Sequence, residues 1–273
     1  MIGIYVFSGT GNTLKCAEAL RDALAELGFE AALRMIRDGS EKAAERDLVV
    51  CYPVYGFNAP TPVLRFCRGL EGTEGGRVWF MKTSGEPLRL NDASSAELAR
   101  PLRRKGYEIT GEFGYVMPYN ILFRHTDEAA SLMWETAKRR IPAAARMIAA
   151  GEGAAPRPGA GAKLMSVLCR IEHGFYPLNG RLFRVDKSKC LRCMKCAEAC
   201  PVGNIEYKDG RFRFGGKCAC CTRCAFSCPA DAIHIGIIDF MRVNGPYDFA
   251  RDPAKAEPIR YCRRAYERYF SGQ

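Results

Sequence analysis

Eight of the fourteen cysteines fall in two runs of one design, Cys190-x2-Cys193-x2-Cys196-x3-Cys200-Pro201 and Cys218-x2-Cys221-x2-Cys224-x3-Cys228-Pro229. Three thiolates at that step can wrap one face of an iron–sulfur cubane, while a fourth placed just before proline reaches the other cluster of a two-cluster protein. The spacing predicts two [4Fe-4S] clusters with crossed ligands. Cys190, Cys193, Cys196 and Cys228 would hold one, and Cys218, Cys221, Cys224 and Cys200 the other. Paired zinc sites are the competing chemistry, because cysteine quartets also bind zinc tetrahedrally. Zinc ribbons, however, use CxxC pairs separated by longer loops, so the third closely spaced Cys and the Cys-Pro ending favour the cubane. Cys220 interrupts neither register and reads as a spectator.

A second chemistry-bearing segment lies near the start, Ser8-Gly9-Thr10-Gly11-Asn12-Thr13. Small hydroxyl residues and glycines between a strand and a helix let N–H groups and hydroxyls converge on a phosphate, where the helix dipole favours negative charge. The segment is neither GxGxxG nor GxxxxGK[ST], so it lacks the glycine spacing for a dinucleotide and the Lys for a nucleoside triphosphate. A phosphate monoester is the ligand it suits.

The elements that must position these groups follow from patterning. A length of 273 residues predicts about two domains, and 48% hydrophobic content is ample for their cores. Residues 1–150 alternate short apolar runs with helical stretches, which predicts a parallel α/β sheet covered on both faces. Strands are expected at 2–7, 29–36, 47–54, 77–83 and within 107–117, and helices at 13–27, 63–68, 94–105 and 128–150. Gly28 sits where a C-terminal cap belongs, and Pro142 predicts a kink. Residues 151–161, GEGAAPRPGAG, have linker composition, and 162–183 form an apolar bridge segment of undefined structure. Residues 184–238 hold the cysteine repeat as a small α+β domain. The tail, 239–273, ends in the Tyr- and Arg-rich RYCRRAYERYF, expected to fold back on the body as a helix.

Charge divides unevenly. Residues 1–150 carry 20 Lys and Arg against 18 Asp and Glu, whereas residues 151–273 carry 21 against 12. Each oxidised four-thiolate cubane adds a charge of about −2, so the basic side chains of the second half largely offset the clusters. Nucleic acid is not needed to explain them, and no reading motif for it is present. No apolar run approaches the ~18 residues of a membrane span, and the N-terminus lacks signal-peptide features. A soluble cytoplasmic protein with reduced thiols is expected.

Ser8 to Thr13 matches the [ST]-x-T-G-x-T loop that cradles the FMN phosphate in flavodoxins, and it stands at the same place in the element order. With the double cysteine motif on one chain, the sequence resembles bacterial fusions of an N-terminal flavodoxin-like domain with a two-cluster ferredoxin. That resemblance implies a five-stranded doubly wound sheet of order 2-1-3-4-5, with FMN at the carboxyl ends of the strands. It brings two further loops toward the flavin: Val54-Tyr55-Gly56-Phe57-Asn58, with aromatics for the ring and Asn58 for a polar edge, and Thr83-Ser84-Gly85, with backbone donors. Tyr119 and Asn120 are expected to border the site. Flavodoxins usually sandwich the ring between Trp and Tyr, but Trp79 falls within a strand and Trp134 within a helix, so a more open ring face is expected. His125, His173 and His234 show no ligand spacing, and Cys16, Cys51, Cys67 and Cys169 read as small core residues. Cys262 has no assigned role.

A flavin takes one or two electrons and a cubane normally one, so the combination can convert between single-electron and two-electron chemistry. The leading expectation is an anaerobic electron-transfer flavoprotein, relaying electrons between a low-potential donor, two [4Fe-4S] clusters, FMN and a redox partner protein such as an acidic ferredoxin or a reductase. One alternative is an FMN-dependent reductase of a small organic acceptor, with Tyr55, Tyr119 or Glu86 supplying a proton. The other is a flavin-free docking domain attached to a ferredoxin carrier. Oligomeric state and the identity of donor and acceptor do not follow from the sequence.

Overall fold

A computed structural model describes residues 1–37 and 43–272. Five parallel strands, β1 (Ile2–Val6), β2 (Ala31–Met35), β3 (Asp47–Pro53), β4 (Gly76–Ser84) and β5 (Tyr107–Val116), form one sheet of order β2-β1-β3-β4-β5. Between them run α1 (Asn12–Glu26), α2 (Thr61–Gly69) and α3 (Ala96–Arg104), and α4 (Asp127–Ala149) follows β5. This is the strand order that the resemblance implied. Because strand side chains alternate between faces, Ile4, Val6, Val49, Cys51 and Met81 pack with Leu20 and Leu24 of α1 and Ile141 and Ala145 of α4. Tyr5, Phe7, Val50, Tyr52 and Phe80 point the other way, onto Val63 and Phe66 of α2 and Leu98 and Leu102 of α3. The sheet is thus buried on both sides, which explains why its central strands read as continuous apolar runs.

Some boundaries differ from the patterning. β2 begins at Ala31, because the amide of Phe29 still bonds the Leu24 carbonyl of the α1 terminus and its side chain is 40% exposed. Gly28, with φ of 80°, occupies the left-handed position just past the helix end. Helix α4 runs through Pro142 as one element. The Gly- and Ala-rich stretch after α4 lies along β5, with Glu152 accepting from Trp79 Nε1 at 2.8 Å and Ala154 from the Glu112 amide at 3.1 Å. Patterning left residues 162–183 undefined, yet all but the last two lie in a 22-residue helix, α5 (Ala160–Arg181).

The cysteine repeat is built from short elements: β6 (Arg184–Val185), α6 (Lys195–Glu198), β7 (Ile205–Lys208), β8 (Arg211–Phe214), α7 (Arg223–Phe226) and β9 (Ile233–His234). β6 pairs with β9 and β7 with β8, both antiparallel. The two motifs share a backbone. Left-handed φ values at Arg192, Met194 and Gly203 (50°, 58°, 57°) match those at Cys220, Thr222 and Asp231 (53°, 53°, 46°). The chain ends with α8 (Arg263–Ser271), whose Tyr269 hydroxyl accepts from the Val116 amide at 3.1 Å.

One buried ionic group makes the fold acid-sensitive. The carboxylate of Glu45 accepts from the Tyr5 hydroxyl at 2.7 Å and from Arg34, and its side chain is fully buried. Burial raises its pKa, but the hydrogen bonds from Tyr5 and Arg34 outweigh that and hold the carboxyl below the usual range. A depressed folded-state pKa contributes stability above the unfolded value, and that stability is lost as pH falls through the folded one. Thermal midpoints measured between about pH 5 and pH 3 are therefore expected to fall more steeply for the wild type than for Glu45→Gln.

Candidate functional site

A cavity of about 430 Å³ opens at the carboxyl ends of β1, β3, β4 and β5, within the size range of cofactor sites. In a doubly wound sheet this is where the strand order reverses, here between β1 and β3, so that the loops diverge and leave a crevice. Its walls include Ser8, Gly9, Thr10, Asn12 and Thr13 after β1, Val54, Tyr55, Gly56 and Phe57 after β3, Thr83, Ser84 and Gly85 after β4, and Tyr119 after β5. Four separate loops therefore deliver the expected residues to one place.

The loop after β1 is held by its own side chains. Ser8 Oγ accepts from the amides of Gly11 and Leu14 at 3.2 and 3.3 Å, and Asn12 donates its side-chain amide to the Pro118 carbonyl at 2.8 Å. Thr13 and Thr83, both buried, share a hydroxyl–hydroxyl bond of 2.7 Å that ties the first loop to the third. Gly11 takes φ of 102° to start α1 and does not itself line the cavity. The first-turn amides of Asn12 and Thr13 have no acceptor within the helix, which is the donor set an anion requires.

Asn58 corrects an expectation. It is 1% exposed and absent from the cavity wall; its side-chain amide bonds the carbonyls of Gly56 and Ser166 at 2.7 and 2.9 Å and accepts from Ser166 Oγ at 2.7 Å. Its polarity anchors α5 on the β3 loop. Cys169 is likewise only partly buried on α5 rather than a core residue, whereas Cys16, Cys51 and Cys67 are buried.

One feature of the wall calls for a polar ligand. The Tyr55 hydroxyl is buried without a hydrogen-bond partner among the described residues, and a buried orphan of this kind is normally satisfied by a ligand or water. Gly85 is required by internal packing, since any Cβ there would collide with the Tyr119 ring. Tyr119 in turn donates to Glu86, whose carboxyl is pushed up by burial against the opposing pull of that bond. His125 stacks on Tyr119 at 5.3 Å and 5°, and burial lowers it to about 4. The residues present fit FMN: a donor-lined loop for the phosphate and aromatics for the ring.

Patterning missed several wall residues. Glu172, Phe175 and Tyr176 come from α5, Met241 and Tyr261 from the tail, and Cys220 from the second cysteine motif. None carries a local signal, because each arrives by packing across more than a hundred residues. Neither Trp79 nor Trp134 reaches the cavity.

The cysteines sort into two quartets. Cys190, Cys193, Cys196 and Cys228 surround one small void, and Cys200, Cys218, Cys221 and Cys224 another. Each quartet combines three sulfurs of one motif with the Cys-Pro sulfur of the other. Among the described residues no three His, Cys, Asp or Glu side chains form a group that could hold a single metal ion. Backbone amides already point at the sulfurs in matching pairs: Arg192 to Cys190 and Cys220 to Cys218, both at 3.4 Å, and Asn204 to Cys200 and Ala232 to Cys228 at 3.2 and 3.3 Å. Such bonds stabilise thiolates and tune cluster potentials.

The second quartet adjoins the cavity. Arg223, beside Cys224, donates to the carbonyls of Ser8 and Gly9, both at 2.6 Å, and to that of Ala199 at 3.2 Å. A Cβ on Gly9 would lie 2.6 Å from the Cys221 carbonyl oxygen and 2.8 Å from the Tyr55 hydroxyl. Thr222 bonds the Asn120 carbonyl at 3.2 Å.

A family model described as a 4Fe-4S binding domain matches residues 182–205. No curated protein matches the chain. Among solved structures, the chain is similar to a Streptococcus pneumonia TIGR4 flavodoxin (17% identity, TM-score 0.40, 55% of this chain and 97% of that one). It is also similar to oxidised flavodoxin 2 from Bacillus cereus (14%, 0.41, 55% and 98%) and to the two-electron reduced Megasphaera elsdenii flavodoxin (18%, 0.35, 54% and 99%). The chain joins a five-stranded parallel α/β sheet of order β2-β1-β3-β4-β5 to a segment that matches a 4Fe-4S binding domain.

Proposed function

We propose that this chain is an electron-transfer protein that binds FMN in the cavity and two [4Fe-4S] clusters on the cysteine quartets, exchanging electrons with a redox partner protein. The units would be residues 1–150 for flavin, 184–238 for the clusters, and 151–183 and 239–273 as the pieces that join and brace them. The observation that carries the reading is the contact between the two sites: Arg223 and Cys221 of the second motif touch Ser8 and Gly9 of the loop after β1. When bound, FMN would supply one- and two-electron chemistry and the clusters single-electron steps. The chain's own residues hold and orient. Thr10 and the first turn of α1 would bind phosphate, Tyr55 would donate to a polar edge of the ring system, and Arg223 fixes the second cysteine loop against the first. Among the described residues no helix is long and apolar enough to cross a membrane.

One observation favours a second reading, reduction of a small organic acceptor. Glu86, held in the protonated direction by burial and bonded to Tyr119, lines the cavity and could keep a transferable proton there. An anaerobic potentiometric titration of the protein as isolated separates the readings, with flavin followed by absorbance and clusters by paramagnetic resonance. Electrons entering the flavin singly, at a potential near the clusters, are expected for the carrier. Uptake of two together, well above the clusters and with a pH dependence that Glu86→Gln changes, would instead establish the reductase. A protein without flavin would discard both.

A further inference from the structure

Helix α5 carries an apolar stripe that none of the described residues covers. Leu164, Leu168, Ile171, Phe175, Leu178 and Leu182 recur at alternating steps of four and three, and they are 61, 53, 78, 38, 58 and 53% exposed. Val167, on the same side, is 56% exposed. That alternation is the 3.5-residue repeat of a helix–helix seam, sustained over the whole element. The opposite side of the helix is fully engaged. Ser166 bonds Asn58, Arg170 pairs with Glu97 at 3.2 Å and His173 meets the Tyr55 carbonyl at 3.4 Å, while Asn179, buried at the edge of the stripe, bonds Ile235 and Ile237 at 3.0 and 2.8 Å and pins the end of the helix. The stripe is therefore a fixed feature of the surface rather than a helix waiting to turn inward.

We propose that the stripe is the seam of a homodimer, α5 of one copy packing against α5 of a second. Three observations point to a second copy. The exposed side chains offer apolar surface on the order of 700 Å² per copy, close to the ~800 Å² that one side of a standard interface buries and above the patch size usual for a monomer. The seam needs a long helix with the same repeat as its partner, and α5 is itself such a helix, so a two-fold pairing is self-complementary. Lipid is the poorer match. A helix lying in a membrane surface flanks its apolar stripe with cations, whereas here the exposed charges beside the stripe are Lys163 and Arg181 at the two ends and Glu172 at its middle. Phe175 belongs to both the stripe and the cavity wall, so the second copy would sit beside the cavity mouth.

Sedimentation analysis of the full chain is expected to give twice the 30.3 kDa chain mass at micromolar concentration. Ile171→Glu and Leu168→Glu should each raise the dimer dissociation constant on the order of 100-fold or more by placing two carboxylates in the seam. Both side chains are exposed in the single copy, so iron content and far-ultraviolet dichroism should stay as in the wild type. A monomeric wild type overturns the proposal, as does a dimer indifferent to both substitutions. A monomer that binds anionic lipid vesicles and loses that binding in Ile171→Glu overturns it in favour of a membrane surface.

Discussion

Purified Cys228→Ala protein is expected to carry about half the iron and acid-labile sulfide of the wild type, losing the cluster whose other three ligands belong to the first motif. Cys228 lies 32 residues or more from Cys190, Cys193 and Cys196, but the structure places it on their void and puts Cys200 with Cys218, Cys221 and Cys224. Crossing has a structural cause. The two motifs share one backbone path, down to their left-handed residues, and β6–β9 pairing lays the end of the second repeat beside the start of the first. Cys200→Ala is expected to remove the complementary cluster, the one adjoining the cavity. The check is iron and sulfide analysis with paramagnetic resonance of the reduced proteins. Loss of the same resonance from Cys228→Ala and Cys224→Ala would refute the crossed assignment.

Gly9→Ala is expected to disrupt the contact between the loop after β1 and the second cysteine motif. The added carbon would stand 2.6 Å from a backbone carbonyl of Cys221, 2.8 Å from the Tyr55 hydroxyl and 3.2 Å from Cys221 Cβ. A flexible side-chain end could move aside; the backbone carbonyl oxygen of Cys221 cannot without shifting its turn. Overpacking of this kind costs about 1–3 kcal/mol, and the displaced loop is the one proposed to hold the FMN phosphate. FMN affinity measured by fluorescence quenching is expected to fall on the order of tenfold or more, with a lower thermal midpoint. Gly69→Ala is the control: it closes α2 with nothing within 4 Å of the new methyl, and helix propensity makes it neutral or slightly stabilising. Equal behaviour of the two variants would show that the loops are not in contact.

What could be read without coordinates was whatever its chemistry keeps local. A cubane needs thiolates at fixed short steps, and a phosphate loop needs small residues between one strand and one helix, so Cys190 to Cys228 and Ser8 to Thr13 could be proposed for those roles from spacing alone. The sheet was legible for a related reason, since strands buried on both faces must be apolar throughout. Asn58 and α5 were not legible. A polar side chain after β3 looks the same whether it faces a ligand or Ser166, 108 residues away. Residues 162–183 contain Gly174, Pro177 and Gly180, which mask helical patterning. Gly180 is required because Cys218 packs directly on its bare Cα. The stripe on α5 was present in the sequence, but only its exposure separates a seam from an ordinary core face.

Arg223 meets the loop after β1 through two main-chain carbonyls rather than through a carboxylate. Separate carrier proteins commonly find each other through opposed surface charges, an attraction that counterions weaken and that dilution defeats. Here both handicaps are absent. The halves are tethered, so their encounter is unimolecular, and the guanidinium is pinned by neutral dipoles in a part-buried seam. Internal exchange should then run at the same pace in dilute buffer and in brine, leaving ionic strength to act only on the meeting with an outside partner.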